Sequence, residues 1–343
     1  MNTLFVLNCP LGDCINFSCF LKDYHESFMD EVLYIRATPS MLDELFKNNH
    51  IVNLFRDDIH YDKIYEYRLG EFDSGSSGMD KRRRIKREEI TLQDTPYIYF
   101  DKVYHLPLVH RNRIPCIELD EYQKSKIESD KPLCLINAVA QYFLFDARYL
   151  GFSRFQRIVD DFYHRVNFFS IGNLTYGLLQ TNKLNHVYAD LVNQTSIYEL
   201  LHYIYNADII LTSESGIWHA ANIRRGKPLY VIVPAGARQT HRMNRYDTPD
   251  VNVYWLENKD KEAFSNLCYN GDEKGCLIEP LFSEVNDYRI CRDDSCRFPV
   301  VKNNELISRC LSHVAIEDVE AALNDCLNKI KPSDQPQYSW HII

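Results

Sequence analysis

The chain has 343 residues, 45% apolar, 13% aromatic and 25% charged, a balance that supplies two full cores and excludes a disordered chain or a collagen-like repeat. Thirty-nine Lys and Arg stand against 48 Asp and Glu, a formal charge of −9, so the overall field repels nucleic acid and anionic lipid. Any anionic partner must be held by a local patch. No run is long enough to span a bilayer, and the apolar stretch at the N-terminus is too short, and lacks the basic residues, for a signal peptide. A cytoplasmic protein, at most peripheral at the membrane, is expected, in which eleven cysteines read as buried thiols or metal ligands rather than disulfides.

Residues 4–7 form an apolar strand, followed by the loop Cys9-Pro10-Leu11-Gly12-Asp13 and a helical stretch over 15–28. Strands are expected at 32–35, 64–67 and 103–106, with helical or loop segments such as 41–46 between them. Such alternation predicts an α/β fold with a parallel, doubly wound sheet. The polar segment 128–132, ending in Pro132, precedes a new apolar strand at 133–136 and marks a boundary between domains 1–128 and 129–315.

In the second domain Phe152, Phe155, Ile158, Val159 and Phe162 fall on one helical face, and a strand over 168–171 is closed by Gly172. Ser196 and Glu199 form a capping box ahead of the stripe Ile197, Leu200, Leu201, Ile204 and Tyr205. A strand at 209–212, a loop, a short helix around 219–225 and a strand at 229–233 complete this half. The segment 316–343 carries a last helix over 317–330, acidic in its first turn, and an irregular tail.

Two strand-to-helix turns can carry chemistry. In the stretch 209–222, a helix start preceded by Ser213, Ser215 and Gly216 offers free backbone N–H groups and a positive dipole end to a diphosphate. An ordinary turn in which Ser215 merely caps the helix fits the same residues, and His219 fits a structural histidine as well as a ligand contact. Asp13, after the first strand, stands at the carboxyl edge of a sheet, where a carboxylate can take a proton from an incoming hydroxyl or simply cap a helix. No G-x-G-x-x-G follows either strand, which argues against an NAD-dependent oxidoreductase.

The Gly12-Asp13 loop, Arg148-x-Leu150 ahead of Phe155-Gln156-x-x-Val159-Asp160, the strand end at Gly172, and Glu214-Ser215-Gly216-x-x-His219-x-Ala221 followed by Gly226-x-Pro228 resemble glycosyltransferase family 9, the ADP-heptose:lipopolysaccharide heptosyltransferases. The likeness runs in order from about residue 4 to residue 323. Ala235-Gly236-Ala237-Arg238 with Tyr246 downstream, Gly275-Cys276, Cys296-x-x-Pro299-Val300 and Cys310 are similar to the cysteine-containing, iron-binding branch that modifies autotransporters.

The resemblance implies a GT-B fold, two Rossmann-like domains facing a cleft, and inverting transfer of a sugar such as heptose without a catalytic metal. Asp13 then matches the family's general base. Arg148 stands where the family usually has a lysine against the leaving diphosphate. Glu214, Ser215, Gly216 and His219 match the donor turn, with Gly172, Ser213, Gly236 and Arg238 beside them and an ADP-sugar favoured as donor. Gly12 would lie on the acceptor side. Glu214, where many members have Asp, and Ala237, where the branch often has Gly, depart from the pattern.

Cys268, Cys276, Cys291, Cys296 and Cys310 lie close together in sequence but contain no C-x2-C knuckle, so their spacing fits reduced thiols as well as metal. The resemblance implies structural iron or zinc on Cys268, Cys276, Cys296 and Cys310, and is compatible with an oligomer. Six of the seven residues 81–87 are cationic; the run, with Arg82 and Arg83, reads as a solvated loop or as a clamp for an anionic glycan, glycolipid or protein acceptor. The expected function is therefore an inverting glycosyltransferase, and the alternative is a sugar-nucleotide-binding or scaffold protein of the same fold. Such a protein needs the turn at Ser215 but no base, so Asp13 and Arg148 favour the enzyme.

Overall fold

Strand β1 (Asn2–Asn8) buries both of its faces, so its near-continuous apolar run suits the centre of a sheet covered on either side. The computed structural model describes residues 1–68, 92–138, 150–172, 183–213, 215–235, 246–257, 300–302, 305–307 and 314–330. β1 pairs in parallel with β2 (Val32–Thr38) and β4 (Lys63–Arg68), and β2 with β3 (Val52–Leu54), giving the order β3-β2-β1-β4. Helix α1 (Leu11–Ser27) and helix α2 (Thr95–Tyr104) cover this sheet through a cluster of rings from Phe5, Phe17, Phe20, Tyr24 and Phe100. The Phe20 and Phe100 centroids lie 4.4 Å apart. A 3-10 helix over Ser40–Phe46 follows β2, where a helical or loop segment is expected over 41–46.

The second sheet contains β5 (Leu133–Asn137), β6 (Asn167–Ser170), β7 (Ala189–Asp190), β8 (Ile209–Thr212), β9 (Leu229–Ala235) and β10 (Val251–Glu257). All are parallel, in the order β10-β9-β8-β5-β6-β7. A short helix α3 (Glu121–Lys124) precedes it, and α4 (Phe152–Phe162) and α5 (Ile197–Asn206) cross between its strands. The capping box at Ser196 and Glu199 is formed. Helix α6 (Gly216–Ala221) follows β8, a small hairpin pairs β11 (Val300–Lys302) with β12 (Glu305–Ile307), and α7 (Ile316–Lys329) packs Val319, Leu323 and Cys326 on this second sheet.

Three elements differ from expectation. Residues 103–106, read as a strand, end helix α2 instead: Pro96 starts that helix, Phe100 docks on β1, and His105 closes it at φ 53°, giving its N–H to the Phe100 carbonyl. The β-branched and aromatic run Val103-Tyr104 favours a strand only locally, and packing decides otherwise. Helix α1 begins at Leu11 rather than near 15, because the Asp13 and Cys14 amides already bond to the Pro10 carbonyl. Helix α6 starts at Gly216 and ends at Ala221, earlier than 219–225.

Contacts between the two halves are polar as well as apolar. Asp120 caps α3 and also accepts from the Tyr198 hydroxyl of α5 at 2.5 Å, while the Tyr198 amide donates to Glu44 at 2.8 Å. The most intimate contact lies elsewhere, between the first turns of α1 and α6.

Candidate functional site

In each parallel sheet the strand order reverses beside the first strand of its set, between β1 and β4 and between β5 and β8. Helices leave to opposite faces there, which opens a crevice at the carboxyl ends of the strands. The residues that follow those ends are Cys9 to Asp13 after β1, Ala138 after β5, and Ser213 to Gly216 after β8. Gly172 follows β6 on the same edge of the second sheet.

The turn after β8 is held by a chain of hydroxyls. Thr212 Oγ1 donates to the Ser213 carbonyl at 3.0 Å, so its proton is committed; Ser215 Oγ, 3.0 Å away, then donates to Thr212 and accepts from the Ile217 amide at 3.3 Å. Ser215 is thus the N-cap of α6. Helix α6 has only six residues, so the dipole expected from the sequence is short, and what the turn offers is its amides rather than a long macrodipole.

Two buried polar atoms at the β5 and β8 ends stand out. Ser213 Oγ and Asn137 Oδ1, on residues 3% and 5% exposed, have no hydrogen-bond partner among the described residues. Asn137 pairs in register with Thr212, the residue before Ser213, so both orphans lie at the carboxyl ends of the two strands that flank the switch point. A buried polar group without a partner costs about 1–3 kcal/mol, a cost a bound polar ligand can remove.

The crevice is closed on one side by a reciprocal fit of glycine against side chain. A Cβ on Gly12 would come within 2.6 Å of His219 Cδ2, and one on Gly216 within 3.0 Å of Leu11. Each helix therefore needs a glycine where the other presents its side chain. Both glycines are thus required for the approach of α1 to α6.

His219 is buried, and its Nδ1 lies 2.8 Å from the Tyr246 hydroxyl, which in turn hydrogen-bonds Asn16 Oδ1 of α1. Burial pushes the Tyr246 hydroxyl well above its ordinary pKa, and the nearby Cys19 and Asp13 act in the same direction, so it stays protonated. Asp13 is half-buried in the first turn of α1. Cys9 and Cys14 flank it with their sulfurs 3.5 Å apart. Their mutual contact, burial and the charge of Asp13 all push the Cys9 thiol up, which leaves it unreactive.

Of the residues singled out in the sequence, the structure gathers Gly12, Asp13, Ser215, Gly216 and His219 around one contact, with Ser213 and Gly172 on the adjoining edge. Glu214, Arg148, Gly236, Arg238, Arg82, Arg83, Cys268, Cys276, Cys296 and Cys310 lie outside the described residues. Asn16, Thr212 and Asn137 went unremarked in the sequence, and Tyr246 entered only as a landmark of the resemblance. A lone Asn or Tyr carries no pattern, and only the strand register and the meeting of α1 with α6 single them out.

No protein-family model and no curated protein matches the sequence. Solved structures do share the fold. A glycosyltransferase family 9 protein from Veillonella parvula, 10% identical, superposes with a TM-score of 0.54 over 95% of this chain and 97% of its own. The dodecameric iron-containing heptosyltransferase TibC of enterotoxigenic E. coli, solved with ADP-D-β-D-heptose, is 14% identical with a TM-score of 0.60, over 96% of this chain and 77% of TibC. E. coli ADP-heptose lipopolysaccharide heptosyltransferase II is 11% identical with a TM-score of 0.51, over 96% and 99%. These likenesses, with two parallel Rossmann-like sheets, give the GT-B fold expected from the sequence. Among the described residues no helix is long and apolar enough to cross a membrane, and no cluster of His, Cys, Asp and Glu could hold a metal ion.

Proposed function

We propose that this protein is an inverting glycosyltransferase that takes a sugar from a nucleotide-diphosphate donor, an ADP-sugar by preference, and moves it onto a hydroxyl of a glycan, glycolipid or protein. The observation that supports this most is the meeting of the first turn of α1, which carries Asp13, with the turn after β8, where Ser213 leaves a polar atom unpaired, as Asn137 does at the end of β5. A donor diphosphate at the second edge and an acceptor hydroxyl at the first would bring the reacting atoms together between the two sheets.

In the reaction Asp13 takes the acceptor proton as the acceptor oxygen attacks the anomeric carbon. The carbon–oxygen bond to the diphosphate breaks from the opposite side, and the nucleoside diphosphate leaves with the electron pair. The turn amides and Arg148 supply the stabilisation of the departing charge in this reading. Cys268, Cys276, Cys296 and Cys310 hold iron or zinc for structure only, and elemental analysis of the purified protein and of C276S reads that part separately. The basic run with Arg82 and Arg83 suits an anionic acceptor, and assembly into an oligomer accords with the dodecamer formed by TibC.

The test is a thermal-shift panel with ADP-, GDP-, UDP- and CMP-sugars and NAD, followed by Asp13→Asn. One sugar nucleotide should stabilise the protein by roughly 2.7 kcal/mol at about a hundred times its Kd. Asp13→Asn should keep that shift and lower transfer about 10²-fold or more. Silence toward every sugar nucleotide would favour the scaffold reading, and unchanged turnover in the variant would remove Asp13 as the base.

A further inference from the structure

A cavity of about 640 Å³ is lined by Lys22 and His25 of α1, by the segment 114–119 and by Tyr205, Ile223 and Arg225 of the second half. Lys22 follows Asp13 on the same helix by about 14 Å along its axis, so this cavity is separate from the crevice at the strand ends. Its walls are of two kinds. Ile51, Ile117, Leu119 and Ile223 present apolar surface, while Lys22, Lys124 and Arg225, from three different parts of the chain, bring positive charge. Of the two acids in the lining, Glu118 is engaged by His50, and Glu26 is exposed to solvent.

Arg225 is half-buried, and its bonds go to carbonyls. Nη1 donates to the Asn222 carbonyl at 2.8 Å and the Arg224 carbonyl at 2.5 Å, and Nη2 reaches the Pro115 carbonyl of the first half at 3.5 Å. Among the described residues neither Arg225 nor Lys22 nor Lys124 forms an ion pair with a carboxylate. Burial pushes the Arg225 guanidinium below its usual range, and the charges of Asp250 and Cys19 offset only part of that effect. A half-buried cation held by carbonyl dipoles alone is costly, and a bound anion removes that cost. His25 adds an Nδ1 that is buried and has no hydrogen-bond partner.

We propose that this cavity binds a small organic anion, a carboxylate, sulfonate or phosphate on an apolar body, with Lys22, Lys124 and Arg225 holding the charge and the isoleucines covering the body. Its volume is ordinary for a small-molecule site. A bare polyphosphate would leave the apolar wall uncovered, and a neutral apolar molecule would leave the cations unpaired. With a net charge of −9 on the chain, an anion has to be held by such a local cluster. The site does not depend on the glycosyltransferase reading, because none of its residues belongs to the crevice.

The experiment uses two fluorescent probes on the full-length native protein: anilinonaphthalene sulfonate, an apolar ring system that carries one anionic group, and phenylnaphthylamine, the same rings without the charge. The wild type should bind the sulfonate saturably, one per chain, and the neutral probe about tenfold more weakly. Lys22→Met combined with Lys124→Met removes two of the three cations while keeping the length of both side chains. It should weaken the sulfonate about tenfold and leave the neutral probe unchanged. Its urea midpoint and one-per-chain stoichiometry, read alongside, show that the variant is folded. Lys131→Met, outside the cavity, should change neither probe. No saturable binding by the wild type, or equal affinity for the two probes, overturns the anion site. Sulfonate binding unchanged in the double lysine variant places the probe elsewhere and overturns it equally.

Discussion

Replacing Gly12 by alanine tests the contact on which the site depends, because two effects of opposite sign meet there. Gly12 lies in α1, where alanine is ordinarily the better helix former by up to about 1 kcal/mol. Against that, the new methyl would stand 2.6 Å from His219 Cδ2, 3.1 Å from Nε2 and 3.2 Å from Cγ, a collision with the flat edge of a ring rather than with the tip of a flexible chain. The ring cannot swing away freely, since Nδ1 is bonded to Tyr246 and Trp218 packs beside Tyr246 at a centroid distance of 6.1 Å. Overpacking of this kind costs about 1–3 kcal/mol, so Gly12→Ala should destabilise by about 1–2 kcal/mol net in urea unfolding. Removing the ring should reverse the sign. In a His219→Ala background the same substitution should stabilise by about 0.5–1 kcal/mol, a coupling near 2 kcal/mol in the double-mutant cycle. Gly226→Ala is the control: its φ of +79° strains any side chain, but nothing lies within 4 Å, so it should not couple to His219. A Gly12→Ala variant as stable as the wild type, or one without coupling, refutes the close approach of α1 to α6.

Other consequences concern the frame around that contact. Glu31 is buried and accepts from Thr3 at 2.5 Å, Lys63 at 2.7 Å and Tyr24 at 2.8 Å. Burial alone would raise its carboxyl, but the hydrogen bonds from Lys63, Thr3 and Tyr24 outweigh it and hold the group below its ordinary 4.5. A depressed native value means that this stabilisation is full above about pH 4.5 and is lost as the pH falls through the native value. Glu31→Gln should therefore cost about 2–3 kcal/mol at pH 7, with the gap to wild type narrowing in acid, as paired denaturation curves at pH 7 and pH 3 would show. Ser196→Ala removes the hydroxyl that accepts from the Glu199 amide and should cost about 1 kcal/mol in the same assay.

The order of strands and helices was legible in the sequence wherever an apolar run was long and its boundaries carried a cap or a proline. Strand β8 matches its expected bounds, α4 and α7 lie within a residue or so of theirs, and the box at Ser196 formed as the S-x-x-E spacing requires. Local chemistry fixes such elements because the groups that decide them are three or four residues apart. The positions of Asp13 and of the turn after β8 were legible for the same reason, each coming soon after an apolar strand.

What the sequence could not show were pairings across long separations. Residues 103–106 have the composition of a strand and became the end of α2 because Phe100 had a ring cluster to join. Gly12 looked like a loop glycine suited to a ligand, yet it sits in a helix and makes room for a ring more than two hundred residues away. Asn137 and Ser213 come to the same sheet edge only through the register of β5 against β8, and Asn16, Tyr246 and His219 are joined by hydrogen bonds only once α1 meets α6. Single polar residues have no periodicity to betray them, so their partners are set by the packing of the two sheets.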